Sequence, residues 1–79
     1  MGTRNKGERG MTIGEIIRHR RKKMEISGVE LAERLGVTDT VVYRWETGVV
    51  YPSLLNAITL ADFFGCTLDE LVGRAPCRR

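Results

Sequence analysis

Seventy-nine residues, 42% of them hydrophobic and 29% charged, suffice for one domain with a thin core and exclude a wholly disordered chain. The formal net charge of +3 is unevenly spread: residues 1–26 carry eight Lys/Arg against three Glu, residues 27–73 two Arg against seven acids, and residues 74–79 three Arg. Two cysteines, Cys66 and Cys77, and one histidine, His19, offer neither a disulfide framework nor a zinc-ligand spacing, so no metal or cofactor is expected and a reducing cytoplasm suits the chain.

Residues 1–10 hold three Gly and four charged side chains and read as a flexible basic arm ahead of a domain over 11–73. Arg4, Lys6 and Arg9 of that arm are available to an anionic partner, although plain disorder explains the composition more simply. No secretory signal pattern opens the chain.

The first helix is expected over 12–24, with Thr12 as its hydroxyl cap, Glu15 completing a capping box and Met11 stapled to Ile16. Ile13, Ile16 and Ile17 form its core stripe, and its end is the basic run Arg18, Arg20, Arg21, Lys22 and Lys23, either a solvated face or a phosphate-binding one. A second helix over 27–35 starts at Ser27, with Glu30 as box partner and Ile26 stapled to Leu31. It buries Leu31, Ala32 and Leu35 and stops at Gly36. A third, over 38–47, starts at Thr38, staples Val37 to Val42, buries Val42 and Trp45 and stops at Gly48. Trp45 stands at core spacing, which favours packing over ligand stacking.

The fourth helix, 53–64, starts at Ser53 and stops at Gly65, with Leu54, Ala57, Ile58, Ala61 and Phe64 inward and Leu55 and Phe63 outward. Its Leu54–Phe64 stretch is interrupted by Asn56, Thr59 and Asp62 and is too short to span a membrane. A short fifth helix, 67–72, runs from Thr67, with Glu70 as box partner and Cys66 stapled to Leu71, to Gly73, burying Leu68 and Leu71. Residues 74–79 form a short basic tail. No segment shows useful strand alternation, so the fold class is all-α with five helices.

The second and third helices are joined by little more than Gly36 and Val37, the spacing of a helix-turn-helix. On the third helix Val42, Trp45 and Glu46 fall on one side; Thr40, Tyr43, Arg44 and Thr47 fall on the other, with Asp39 at the N-terminal end. That outer face offers donors, acceptors and one guanidinium, as a helix in the major groove requires; an ordinary solvated helix surface is the alternative. The forked donors of Arg44 match guanine O6 and N7, Thr40 suits a thymine methyl or a base edge, and Asp39 could accept from cytosine N4.

The chain resembles the Cro/repressor-type (XRE) helix-turn-helix family. The resemblance rests on Ile13-Gly14-Glu15-Ile16-Ile17-Arg18 with Arg21, on Val29-Glu30-Leu31-Ala32-Glu33-Arg34-Leu35-Gly36-Val37-Thr38, and on Val42-Tyr43-Arg44-Trp45-Glu46-Thr47-Gly48. It continues through Pro52-Ser53-Leu54, Leu60-Ala61 and Leu68-Asp69-Glu70-Leu71. It implies a compact lambda-repressor-like domain and a transcription regulator, usually a repressor, acting on double-stranded DNA as a homodimer on half-sites about 34–36 Å apart. It also implies base contacts from Asp39, Thr40, Tyr43 and Arg44, phosphate contacts from Ser27, Gly28, Thr38 and Thr47, and an ion pair between Arg21 and Glu46.

Three departures weaken the expected phosphate grip. Gly28 stands where the family often has Gln, Val49, Val50 and Tyr51 stand where basic residues are common, and the recognition region carries Asp39. With Leu55 and Phe63, the apolar residues 49–51 suggest a self-association patch, unless the core is merely wider than drawn. An antitoxin-like or other protein-interaction module with weak DNA binding is the competing expectation. An enzyme is not expected: His19 lies in a charged helical run with no paired nucleophile, and no Gly-rich phosphate loop is present.

Overall fold

A computed structural model describes residues 11–73; the basic arm, the basic tail and Cys77 lie outside the described residues. Five helices follow in order: α1 (Ile13–Lys23), α2 (Gly28–Leu35), α3 (Asp39–Thr47), α4 (Leu54–Phe64) and α5 (Leu68–Leu71), with no strand among the described residues.

Each helix begins on a hydroxyl. Thr12, Ser27, Thr38, Ser53 and Thr67 accept from the backbone N–H three residues on, at 3.2, 3.0, 3.2, 3.2 and 3.0 Å. Each such bond satisfies a donor that the helix itself leaves open. Reciprocal boxes close at Thr12–Glu15 and Thr67–Glu70. The box expected at Ser27 does not form. The Glu30 carboxylate lies 3.6 Å from Arg34, one turn further along α2, and a cation at that spacing competes for the same oxygens.

Gly36, Gly48 and Gly65 take left-handed conformations at the ends of α2, α3 and α4. The residue after each then donates back to a carbonyl of the last turn: Val37 to Ala32, Val49 to Arg44 and Cys66 to Ala61. Helix α1 stops the same way without a glycine. Glu25 is held at φ 61°, its N–H donating to Lys22 at 2.9 Å and that of Ile26 to Arg21 at 3.4 Å. No punctuation in the sequence marked this end.

The fully buried side chains are Ile17, Leu31, Val42, Trp45, Leu60 and Leu71, one or two from each helix. Trp45 is a core residue. Helix α3 packs on both α1 and α2, while α4 packs on α5 and α2, and α5 closes against α1. Burial of Cys66 pushes its thiol above the usual range, as suits an apolar packing residue.

Helix α4 is rotated from the expected setting. Ala57, Leu60 and Ala61 are buried, whereas Leu54 and Ile58, expected inside, are 68% and 42% exposed. Phe63, expected outside, is half-buried against the core, edge-on to Phe64 at 5.5 Å, with the Arg34 guanidinium 5.9 Å from its ring centroid. Eight of the eleven α4 residues are apolar, so its own pattern does not specify an inner side. Contact with α2 and α5 makes the choice.

The tightest contact joins α1 to the end of α3. A Cβ built on Gly14 would collide with the carbonyl oxygen of Trp45 and lie 2.7 Å from that of Glu46, so only glycine lets the two backbones come this close. Two turns along α1, Arg21 donates through Nε to Glu46 Oε2 at 2.7 Å and through Nη2 to Oε1 at 3.1 Å. Its Nη1 donates to the carbonyl of Ile26 at 2.9 Å. The two side chains are 14% and 9% exposed, and the Glu46 hydrogen bonds hold the guanidinium pKa above its ordinary value.

Two substitutions test these backbone constraints by urea unfolding followed by circular dichroism. Gly14→Ala forces α1 off α3 and is expected to lower stability by about 1–3 kcal/mol; an unchanged midpoint would show that the contact gives way freely. Glu25→Gly relieves the left-handed strain and is expected to raise stability by about 1 kcal/mol, or about 4–8 °C in Tm. A loss of stability would show that the Glu25 side chain, not the backbone, matters there.

Candidate nucleic-acid interface

Helices α2 and α3 are separated by Gly36, Val37 and Thr38 alone. The left-handed Gly36 turns the chain, half-buried Val37 pins the turn to the core, and Thr38 opens α3. The start of α2 lies against α3: a Cβ on Gly28 would meet Val42 Cγ1 at 3.9 Å, an ordinary contact. The glycine at 28 is therefore not required by the packing.

The inner side of α3 is fully committed. Val42 and Trp45 are buried, Val41 packs on the core and Glu46 is bound to Arg21. Its outer side carries Asp39, Thr40, Tyr43, Arg44 and Thr47, all exposed, with Tyr43 at 67%. The structure thus brings the four expected base-reading residues onto one solvent-facing surface. Arg44 forms no ion pair among the described residues, so its donors face solvent.

The three hydroxyls expected at phosphates divide into two kinds. Ser27 Oγ and Thr38 Oγ1 accept from the N–H groups of Glu30 and Val41, which leaves each O–H proton available for an anion. Thr47 Oγ1 instead donates to the carbonyl of Tyr43 at 3.0 Å, a closed bond within its own helix. A phosphate oxygen would have to compete with that carbonyl for the single Thr47 proton. Gly28 contributes a backbone N–H alone.

Arg21 is removed from the basic run by Glu46, whereas Arg18, His19, Lys22 and Lys23 stay exposed on α1. Of the expected apolar patch, Val49, Val50, Tyr51 and Leu55 are exposed and Phe63 is not; Leu54 and Ile58 replace it. Gly14 was assigned no role from the sequence beyond its place in the family pattern, although a lone glycine inside a helical stretch is itself a signal of close approach. The exposure of Leu54 and Ile58 had no such signal. Among the described residues no His/Cys/Asp/Glu cluster could hold a metal ion, and no helix is long and apolar enough to cross a membrane.

Comparisons with known proteins agree with this architecture. The chain is 32% identical over 62 residues to the HTH-type transcriptional activator BcrR of Enterococcus faecalis, covering 78% of the chain and 30% of that protein. It is 30% identical over 64 residues to the cryptic phage CTXphi transcriptional repressor RstR of Vibrio cholerae, covering 81% and 57%. The chain therefore spans well under two thirds of the length of these relatives. The crystal structure of the P22 c2 repressor with a synthetic operator superimposes with a TM-score of 0.78 at 30% identity, over 84% of this chain and all of that one. The fold is thus the five-helix lambda-repressor-like domain. The helix-turn-helix family profile (HTH_3) matches residues 17–71, from the middle of α1 to the end of α5, and the chain belongs to that family.

Proposed function

We propose that this chain is a sequence-specific transcription regulator, a repressor, that binds double-stranded DNA by laying α3 in the major groove. The observation that carries the reading is the division of α3: an inner side fixed by Val42, Trp45 and Glu46, and an outer side of exposed polar groups. A helix held rigidly from behind loses little freedom when its outer face meets base edges. The relatives named as repressors and the operator complex of the P22 c2 repressor support it.

The residues take separate roles. Arg44 reads guanine through O6 and N7, Thr40 meets a thymine methyl or base edge, and Tyr43 extends beside them. Asp39 accepts from cytosine N4 and, being anionic, discourages adventitious backbone contact. Ser27 and Thr38 donate their free O–H protons to phosphates, with the backbone N–H groups at the start of α2 beside them. Thr47 is left out of this set. Two copies on a two-fold site in the cytoplasm would present paired reading helices. The family is not an enzyme class, and no catalytic role is assigned.

The sign of regulation depends on where the operator lies relative to a promoter, and the relatives include an activator. The exposed apolar residues around α4 favour a protein contact as well. They are compatible with an interaction module whose DNA binding is secondary.

Binding to duplexes selected from a random pool separates these readings. Affinity should fall by about tenfold or more between 50 and 200 mM salt as counterions are released. Feeble binding that does not change with salt would overturn the DNA reading. Arg44→Ala should lose about 1–3 kcal/mol of discrimination at one base pair per half-site while keeping its fold; an unchanged base preference would remove Arg44 from the reading set.

A further inference from the structure

We infer that the ring of Tyr43, with the methyl group of Thr47 beside it, reads the C5 methyl of a pyrimidine, so that the chain distinguishes a methylated from an unmethylated pyrimidine at one position of its site. This rests on the major-groove reading above and gives one edge of α3 its own chemistry. Residues four apart on a helix lie about 40° apart around its axis. Asp39, Tyr43 and Thr47 therefore follow one another along one edge of the outer side, and Arg44 lies along the other. All four are exposed, and Tyr43 presents most of its ring to solvent. That ring is not engaged by another aromatic or a cation: the one ring pair and the one cation–ring contact among the described residues both involve Phe63.

Two neighbours of Tyr43 suit this edge to an apolar group on a base. The first is Thr47, one turn further along. Its hydroxyl donates to the carbonyl of Tyr43 at 3.0 Å, with that of Arg44 at 3.5 Å as a second acceptor. A threonine whose Oγ1 is turned back onto the preceding turn has its methyl as the branch left for a ligand. The Tyr43 ring and the Thr47 methyl are thus adjacent apolar surfaces on one edge. The second neighbour is Asp39, one turn earlier on the same edge. Its carboxylate repels phosphate, so this edge suits the floor of the groove better than the backbone. That argues against the Tyr43 hydroxyl as a phosphate donor, the competing use of an exposed tyrosine on such a helix.

The chemistry of the groove names the ligand. The apolar group that a base pair presents there is the C5 methyl of thymine, which aromatic rings and threonine methyls contact without a hydrogen bond. 5-Methylcytosine carries the same group at the same place. An apolar contact is indifferent to whether the neighbouring exocyclic group is O4 or N4. It therefore selects the methyl rather than the base, with thymine and 5-methylcytosine on one side and uracil and cytosine on the other. Arg44, on the opposite edge, reads guanine by hydrogen bonds, so the two edges of α3 discriminate by different forces.

The test is titration of the full chain onto duplexes selected from a random pool and resynthesised with thymine, uracil, 5-methylcytosine or cytosine at each pyrimidine of a half-site in turn. At one position thymine and 5-methylcytosine should bind roughly fourfold more tightly than uracil and cytosine, the worth of one buried methyl. Tyr43→Ala should erase that ratio, and Thr47→Ser, which deletes only a methyl, should lower it. Both sites are exposed, so both variants should keep the wild-type far-ultraviolet spectrum. Tyr43→Phe keeps the ring and should keep the ratio. Duplexes bound without regard to the methyl at any position, or a ratio undiminished in Tyr43→Ala or Thr47→Ser, would overturn the assignment and leave the DNA reading standing. A Tyr43→Phe variant that loses affinity equally for every duplex would overturn it as well, by placing the hydroxyl on the backbone. A chain that retains no duplex in the selection would remove the DNA reading and the methyl reading with it.

Discussion

The close approach of α1 to the carbonyl end of α3 is the constraint on which the rest of the domain depends. Gly14 permits the approach, and Arg21 locks it. The guanidinium joins three parts of the chain: its own helix, the carbonyl of Ile26 just before α2, and Glu46 on the last turn of α3. Both partners are largely buried, so removing either would leave the other charge without solvent or counter-charge, which is far more costly than losing the pair's net attraction. The left-handed turn at Glu25 belongs to the same device, because it delivers the Ile26 carbonyl that the third donor of Arg21 needs. Strain in one residue is exchanged for a satisfied buried cation.

This inner commitment is what leaves the outer face of α3 available. Packing and the ion pair occupy Val42, Trp45 and Glu46, so none of the outward residues is needed to hold the helix. Asp39, Thr40, Tyr43 and Arg44 are therefore free to vary with little penalty in stability. The hydroxyls show how finely the division is drawn. Ser27 and Thr38 cap their helices as acceptors and keep a proton, while Thr47 turns its proton back into the helix. A hydroxyl keeps or spends its proton depending on which backbone group it faces.

Helix α4 solves a different problem. Its inner side places Leu60 in the core between the small side chains of Ala57 and Ala61 and packs against α5. Its outer side exposes Leu54, Leu55 and Ile58 beside Thr59 and Asp62.

Much of the fold was legible because its signals are local. Helix starts and stops depend on hydrogen bonds between residues three to five apart, so Thr12, Ser27, Thr38, Ser53, Thr67 and the terminal glycines could be read directly. The outer side of α3 was legible as well, because Val42 and Trp45 fall on one side of its wheel and the polar residues on the other. Tertiary structure alone decided the setting of α4, where apolar residues on all sides made the pattern indifferent to rotation; Leu60 went in, and Leu54 and Ile58 stayed out. It alone showed that Glu30 turns to Arg34, that Thr47 closes on its own helix, and that Glu25 ends α1 in place of a glycine. In each of these cases two partners compete for one group, or two sides of a helix for one core. Such contests are settled by distances between elements, which no linear spacing encodes.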